Sequence, residues 1–224
     1  MKILTFDTSL DKTYISLCDE NETISKIIEN TEGKYHSAYL ISTIAALLRK
    51  KSFTMQDISA VGVNIGPGSF TGIRACVTVA RVMGQTLEIP VLGICSLEII
   101  ATLNNTGKNV ACFIDARKNK AYFALYSSEN EVLTEPKLVE LEEAVEIVKN
   151  NDYFVVSDKK MQEFLNKYEI TSQNFENSGV DFGKHLSKIV LKHIKNKDKK
   201  YLWNELKPLY IQPPPVTMKA AMPL

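Results

Sequence analysis

Apolar residues recur along the first hundred positions in patterns that predict eight secondary-structure elements. Three short strands come first, and the polar turns between them make an antiparallel meander over 2–7, 13–18 and 22–28. Helical periodicity then alternates with short apolar runs, which predicts helices over 37–50, 73–87 and 97–103 and strands over 60–65 and 91–94. The order of elements in this half is βββαβαβα.

The pattern of the first half returns when the sequence is shifted by 108 residues. This shift aligns Asp7 with Asp115 and Tyr14 with Tyr122, so in both halves an Asp ends one strand and a Tyr-containing strand returns. The later elements follow in the same order, with strands over 132–139 and 153–156 and helices over 140–150 and 182–195. We infer a duplicated α/β unit.

Two βββαβα halves that each place an Asp at the end of the first strand are typical of the actin-like ATPase (ASKHA, ribonuclease H-like) fold. The polar stretch 104–109 predicts the boundary between two domains, 1–104 and 105–205. The segment from about 206 to 224 contains four prolines near its start, and we expect it to be extended. It either packs back on the first domain or frays.

A glycine-rich turn connects the strand at 60–65 to the helix at 73–87. Its residues are Gly66, Pro67, Gly68, Ser69, Phe70, Thr71 and Gly72. Glycine permits backbone angles that other residues resist, and Ser69 or Thr71 can cap the helix by accepting a bond from its first N–H groups. One interpretation is an anion site at the helix N-terminus. The other is a tight turn that needs glycine for steric reasons alone.

In the actin-like fold the two Asp-bearing hairpins face each other across a cleft and hold phosphate and metal. Here the hairpins run Asp7-Thr8-Ser9-Leu10 and Asp115-Ala116-Arg117-Lys118, without the glycine that lets backbone N–H groups close on phosphate. We therefore predict a vestigial nucleotide cleft at Asp7, Thr8, Ser9 and Asp115, with no catalytic residue. The alternative is a small-molecule kinase or ATPase that uses Asp7 and Asp115.

The histidines do not have the spacing of a metal site. His185 and His193 are eight residues apart on one predicted helix, too far to chelate one ion, and no ligand-type residue follows His36 at helical spacing. This pattern argues against a metallopeptidase-like enzyme, and we expect neither a metal nor a cofactor. The four cysteines lack Cys-x-x-Cys spacing, so buried, reduced thiols are expected.

The two long helices of the first half carry more apolar surface than one sheet can bury. The sheet-facing residues of the second helix are Ile73, Cys76, Val77, Ala80, Met83, Gly84 and Leu87. A second stripe contains Ala75, Val79, Val82 and Thr86, with Arg74 and Thr78 beside it. Beyond a core face of Leu40, Ile41, Ile44, Leu47 and Leu48, the first helix shows Ala38, Ser42, Ala45 and Ala46. Either the helices pack together, or these stripes bind a second protein or a second copy.

The bulk composition predicts no particular partner, because the formal net charge is only +1. The helix at 182–195 is an exception, with lysines spaced three or four apart at 184, 188, 192, 195 and 199. Such a stripe is typical of a solvated face, and the alternative is contact with nucleic-acid phosphates. The first apolar run is broken by Asp7 and no later run approaches a membrane span, so a cytoplasmic protein is expected.

Several motifs in this order resemble the bacterial TsaB (YeaZ) family of tRNA threonylcarbamoyladenosine (t6A) biosynthesis. They are Ile3-Leu4-Thr5-Phe6-Asp7-Thr8-Ser9, His36-Ser37, Gly66 to Arg74, Pro90-Val91 to Ser96-Leu97, Asp115-Ala116-Arg117 with Tyr122, and Pro208-Leu209-Tyr210. The glycine motif with its arginine is the most specific of them. Ile211-Gln212 departs from the family, where Leu-Arg often follows the Pro-x-Tyr.

The resemblance implies a non-catalytic subunit that pairs with TsaD, the metal-carrying paralogue that transfers the threonylcarbamoyl group to adenosine 37 of tRNA. A TsaE-like ATPase joins them, TsaC supplies the activated group, and any contact of this chain with tRNA is expected to be indirect. In the family the two N-terminal helices bind TsaD, or form a homodimer when TsaD is absent. TsaD-like proteins carry His-x-x-x-His where this chain has Gly93 to Ile100 without histidine, so the chain is not expected to be the transferase.

Overall fold

Two five-stranded mixed sheets form the framework of the protein in a computed structural model that describes residues 1–10, 12–29, 39–196 and 201–212. The first sheet has the order β3-β2-β1-β4-β5 and comprises β1 (Ile3–Asp7), β2 (Thr13–Cys18), β3 (Thr23–Ile28), β4 (Ala60–Gly66) and β5 (Val91–Cys95). The second has the order β10-β9-β6-β7-β8 and comprises β6 (Val110–Arg117), β7 (Lys120–Tyr126), β8 (Val132–Glu140), β9 (Phe154–Ser157) and β10 (Gln173–Asn174).

The helices complete two units with the same order of elements. They are α1 (Leu40–Lys50), α2 (Phe70–Leu87), α3 (Ser96–Ala101), α4 (Leu141–Lys149), α5 (Lys159–Asn166) and α6 (Phe182–Lys195). Each unit reads βββαβαβα, and in each sheet the third, second, first, fourth and fifth strands of the unit lie side by side. The duplicated actin-like α/β fold predicted from the sequence is therefore confirmed.

Two elements of the second unit were not predicted. Helix α5 buries only Met161 and Leu165 among eight residues, so its apolar periodicity is too sparse to stand out in the sequence. Strand β10 has two residues and pairs with β9 at Gln173 and Asn174. Both complete the repeat of the first unit, in which α2 and β5 occupy the same places.

The two units exchange their last helices. Helix α3, at the end of the first unit, packs on β6 and β7 of the second sheet and also touches β4 and β5, whereas α6, at the end of the second unit, packs on all five strands of the first sheet. Together they fill the core between the sheets, which contains Leu97 and Ile100 of α3 and Leu186 and Val190 of α6. The boundary at residue 104 stays a prediction, but one helix of each predicted domain lies on the sheet of the other.

The outer faces of the sheets are covered by the remaining helices. On the first sheet, Leu4, Phe6 and Val63 face α1 and α2, while the alternate residue Ile3 faces the core that contains α6. On the second sheet, Phe113 and its neighbours pack against α4 and α5. Helices α1 and α2 therefore lie on the opposite face of the first sheet from α6.

The chain returns to the first unit after α6. Tyr201 accepts a backbone hydrogen bond from Val91 N at 3.1 Å, and Leu209 N donates to Ile65 O at 2.8 Å. Leu206 is buried in the core beneath α1 and α2, and the guanidinium of Arg81 lies 5.9 Å from the ring of Trp203. Residues 213–224 of the predicted extended segment lie outside the described residues.

The cysteines are free thiols in the structure: Cys18, Cys76 and Cys112 are buried and Cys95 is partly buried. Their burial agrees with their apolar sequence surroundings. Within the described ranges, no helix is both long and apolar enough to cross a membrane.

Close packing of α6 against β4 depends on the absence of a side chain at Gly62. A Cβ there would overlap the methyl groups of Val190. We predict that Gly62→Ala lowers the free energy of unfolding by about 1–3 kcal/mol, because overpacking displaces a buried helix. Urea denaturation measures the change.

The double variant Gly62→Ala with Val190→Ala separates overpacking from a backbone effect. Val190→Ala removes the methyl groups that the new Cβ would meet, so Gly62→Ala should cost much less in this background than in the wild type. An equal cost in both backgrounds would show that α6 does not lie against Gly62.

Candidate functional site

The glycine turn packs directly on the backbone of the first hairpin. A Cβ at Gly68 would lie 2.5 Å from the carbonyl oxygen of Ser9, and one at Gly72 would overlap the carbonyl oxygen of Thr8. Gly66 has φ of +105°, a conformation that side-chain-bearing residues rarely adopt. Three glycines of the motif are therefore required by backbone geometry.

Hydrogen bonds join the same two segments. Ser69 N donates to Ser9 O at 2.9 Å, and the hydroxyl of Thr8 donates to Gly72 O at 2.8 Å. The Ser69 hydroxyl caps α2 by accepting from Gly72 N at 3.3 Å, as predicted for one of the two candidate residues. Main-chain oxygens of the hairpin face the start of α2, so the geometry favours the steric interpretation of the turn over an anion site.

Asp7 is buried and its carboxylate already accepts three hydrogen bonds. Its Oδ1 accepts from Ser9 N at 2.7 Å and from the Ser9 hydroxyl at 2.6 Å, and its Oδ2 accepts from Asn64 Nδ2 at 2.9 Å. Burial raises the pKa of Asp7, and these hydrogen bonds oppose the rise. The carboxyl group points into protein and is engaged by neighbouring residues.

Asn64 and Ser96 extend this buried network and were not predicted as site residues. Asn64 Oδ1 accepts from the Ser96 hydroxyl and from Gly66 N, both at 2.8 Å. The network joins the end of β1 to the start of α3. The only signal in the sequence is a polar amide at the end of an otherwise apolar strand.

Asp115, the counterpart of Asp7, has different partners. Its carboxylate accepts from Arg117 N at 3.1 Å and pairs with Lys160 Nζ at 3.2 Å, while its own N–H donates to Asp158 at 2.6 Å. Asp158 caps α5, and burial raises the pKa of this carboxyl group. Thus Asp7, Thr8 and Ser9 meet the glycine turn, whereas Asp115 belongs to a separate network on the second sheet.

An apolar cleft of about 530 Å³ lies between α1 and α2. It is lined by Ile41, Ile44, Ala45, Leu48, Arg49, Phe53, Thr54, Met55, Thr78, Val79, Val82 and Met83. Val82 is 57% exposed. Ile41, which we had expected in the core, is 56% exposed because it points along the cleft instead of toward the sheet.

The predicted interface residues divide between the cleft and its surroundings. Ala45, Thr78, Val79 and Val82 line the cleft, while Ser42, Ala46, Ala75 and Thr86 lie elsewhere on the two helices and Ala38 falls outside the described residues. The guanidinium of Arg74 lies 4.3 Å from the ring of Phe70, and its Nε donates to the Tyr210 hydroxyl at 3.2 Å. Arg74 thus links the segment 201–212 to the start of α2.

Comparisons with known proteins identify the family of the chain. A family model described as TsaD, tRNA N6-adenosine threonylcarbamoyltransferase, matches residues 20–211. The tRNA threonylcarbamoyladenosine biosynthesis protein TsaB of Bacillus subtilis is 32% identical over 159 residues, which cover 68% of each chain. The chain belongs to the TsaB (YeaZ) family. The TsaB protein of Buchnera aphidicola from Acyrthosiphon pisum is 27% identical over 94% of this chain and 98% of its own length.

The fold of a solved family member is the same. YeaZ from Pseudomonas aeruginosa superposes with a TM-score of 0.76 at 19% identity, covering 94% of this chain and 100% of that structure. The sequence match to TsaB of Bacillus subtilis confirms the family resemblance that the motifs indicated. In the parts of the chain that the structure describes, no three His, Cys, Asp or Glu residues are grouped closely enough to hold a metal ion.

Asp7 should make the stability of this TsaB-family chain depend on pH in a particular direction. Its pKa is higher in the folded state than in the unfolded state, so its contribution to stability is fully present below the unfolded pKa of about 3.9 and is lost as pH rises through the folded value. Relative to Asp7→Asn, the wild type should gain stability as pH falls from neutral toward that value. Urea denaturation of both proteins at several pH values measures the difference.

The opposite trend, a relative loss of wild-type stability in acid, would show that the three hydrogen bonds outweigh burial. At neutral pH we expect Asp7→Asn to cost about 1–3 kcal/mol, because the amide presents N–H groups to at least one existing donor. Ser9→Ala is a matched control, since it removes one of the three hydrogen bonds and leaves the carboxylate in place.

Proposed function

We propose that this chain is a non-catalytic subunit of the t6A machinery and holds a TsaD-like transferase through helices α1 and α2. The observation that carries the proposal is the apolar cleft of about 530 Å³, because its lining includes residues of the predicted second stripe. The resemblance to the family implies that the same two helices contact TsaD.

The cleft has the chemistry of a protein interface. Ile41 and Val82 present exposed branched side chains at its edge, and Ala46 and Thr86 nearby on the same helices are small enough to allow another helix to approach closely. Burying apolar surface of this kind is the main source of affinity at stable interfaces. A second copy of the chain can use the same surface when the TsaD-like partner is absent, and a TsaE-like ATPase would join the heterodimer.

The first hairpin supports the non-catalytic part of the proposal. Phosphate binding needs free N–H donors, but carbonyl oxygens of Thr8 and Ser9 face the start of α2, and Asp7 already accepts three hydrogen bonds. In the region where TsaD-like proteins carry His-x-x-x-His, α3 instead begins Ser96-Leu97-Glu98. The chain would activate the transferase by binding its active conformation and so raising the population of that conformation.

We predict that Val82→Arg abolishes co-purification with the TsaD-like paralogue and lowers t6A synthesis at least tenfold. An arginine at this exposed position places a charge in the apolar cleft, where binding would leave it without a partner. The measurement is a pull-down, followed by t6A synthesis with TsaD, TsaE and TsaC in the presence and absence of this chain.

Val132→Arg is the matched control, since Val132 is also an exposed valine, 47% accessible, but lies on β8 at the edge of the second sheet. This variant should bind the partner and support t6A synthesis as the wild type does. Loss of both activities in the control, or full activity in Val82→Arg, would place the interface elsewhere.

The ATPase alternative makes a different prediction for the isolated chain. If Asp7 is engaged by Ser9 and Asn64, calorimetry with ATP and magnesium should show no binding in the micromolar range. Tight binding, with turnover that Asp7→Asn abolishes, would instead favour a kinase or ATPase of the actin-like fold.

A further inference from the structure

Every exposed residue of α6 is a lysine. Lys184, Lys188, Lys192 and Lys195 are exposed, and the other ten residues of the helix are buried or partly buried. At 1.5 Å per residue, the four ammonium-bearing positions extend over roughly 16 Å of the helix. We call these four residues the lysine face.

The segment of sequence that contains this face concentrates positive charge in a chain that is nearly neutral. Positions 184–200 contain seven lysines and one aspartate, so the rest of the chain carries a net charge of −5 against a total of +1. Among the described residues, no carboxylate lies within 4 Å of Lys188, Lys192 or Lys195, and Lys184 pairs only weakly with Asp181 at 3.8 Å. By contrast, Lys51 and Lys120 of other surfaces pair with glutamates at 2.6 Å.

Helix electrostatics explains only half of the lysine face. Lys192 and Lys195 lie in the last turn, where cations offset the negative end of the helix dipole. Lys184 lies in the first turn, where a cation is unfavourable, and Lys188 lies beyond it, where the dipole has little effect. The neighbouring acidic groups lie at the ends, with Asp181 before the helix and Glu98 beside His193 at 3.6 Å.

The backbone beneath the lysine face is firmly held. Phe182, Leu186 and Val190 are buried against the first sheet, and the hydroxyl groups of Ser187 and Thr5 are hydrogen-bonded at 2.7 Å. The lysines therefore project from a fixed helix, on the opposite face of the first sheet from the apolar cleft. A partner in the cleft and a ligand on α6 can be bound at the same time.

We infer that the lysine face binds the phosphate backbone of RNA. Lysine ammonium groups contact phosphates as point charges without reading sequence. A row of lysines along one helix can contact successive phosphates of a nucleic-acid backbone. The choice of RNA rests on the proposed function, in which a tRNA is the substrate of the complex. This chain would then contact tRNA directly, whereas the family resemblance implied only an indirect contact.

Two other polyanionic partners fit the helix less well. A membrane-bound helix inserts exposed apolar side chains between lipids, but the apolar residues of α6 are buried or partly buried. A protein interface needs apolar or aromatic anchors at its centre, and lysine is depleted there. The lysine face offers charge alone, which is the chemistry of phosphate-backbone binding.

The test compares two triple variants with the same change in net charge. The first is Lys184→Gln, Lys188→Gln and Lys192→Gln. The control is Lys149→Gln in α4, Lys159→Gln in α5 and Lys167→Gln directly after α5. All three of these lysines are exposed. Binding of a labelled tRNA transcript is measured by fluorescence anisotropy over a range of KCl concentrations, with the full chain alone and with its TsaD-like partner.

We expect the α6 variant to bind tRNA about tenfold more weakly at about 0.1 M KCl, and the slope of log K against log[KCl] to become shallower by about 2 to 3. Each phosphate contact contributes roughly 0.7 to 0.9 to that slope. The control variant should match the wild type, and Lys→Arg at the three α6 positions should restore binding because the charge is retained.

Four outcomes would overturn the inference. They are equal loss in both triple variants, no tRNA binding by the wild type in either form, binding to anionic phosphatidylglycerol vesicles but not to tRNA, and tRNA binding retained by the α6 variant. In the last case, loss of the TsaD-like partner would show that the lysine face contacts an acidic protein. Val82→Arg tests the cleft separately. A negative result for tRNA binding by the α6 lysines would therefore leave the proposed function intact.

Discussion

Contact between the backbones of the glycine turn and the first hairpin determines how this end of the first sheet is built. Gly68 and Gly72 approach the carbonyl oxygens of Ser9 and Thr8 so closely that no side chain fits between them. The contact fixes the start of α2 and encloses Asp7. The same close packing places acceptor oxygens beside the start of α2, where a phosphate-binding hairpin presents N–H donors.

The first sheet then separates two surfaces of different chemistry. One face carries α1 and α2 with an apolar cleft between them, and the other carries α6 with its lysine face. Successive side chains of a strand point to opposite faces of the sheet, so the neighbouring residues Ile3 and Leu4 belong to different cores. Substitutions on one helix can therefore alter one surface without altering the other.

The sequence predicted most of the fold because strong apolar periodicity marks long elements. β2 and α6 were predicted with their observed bounds, and the repeat gave the order of the elements in both units except for α5 and β10. The site was harder to predict. The hydrogen bond between Asp7 and Asn64 joins residues 57 positions apart, and the exchange of α3 and α6 depends on tertiary packing that no local pattern records. Ile41 was misassigned because a helical wheel does not show where a neighbouring helix leaves a gap.

The exchange of helices also makes each unit depend on the other for its core. Without α6, the buried residues Ile3, Tyr14 and Cys18 of the first sheet would be exposed to water. Without the second sheet, Leu97 and Ile99 of α3 would lose the core in which they are buried. The inner face of the first sheet is covered mainly by α6 and that of the second sheet by α3, so each unit is needed for the folding of the other.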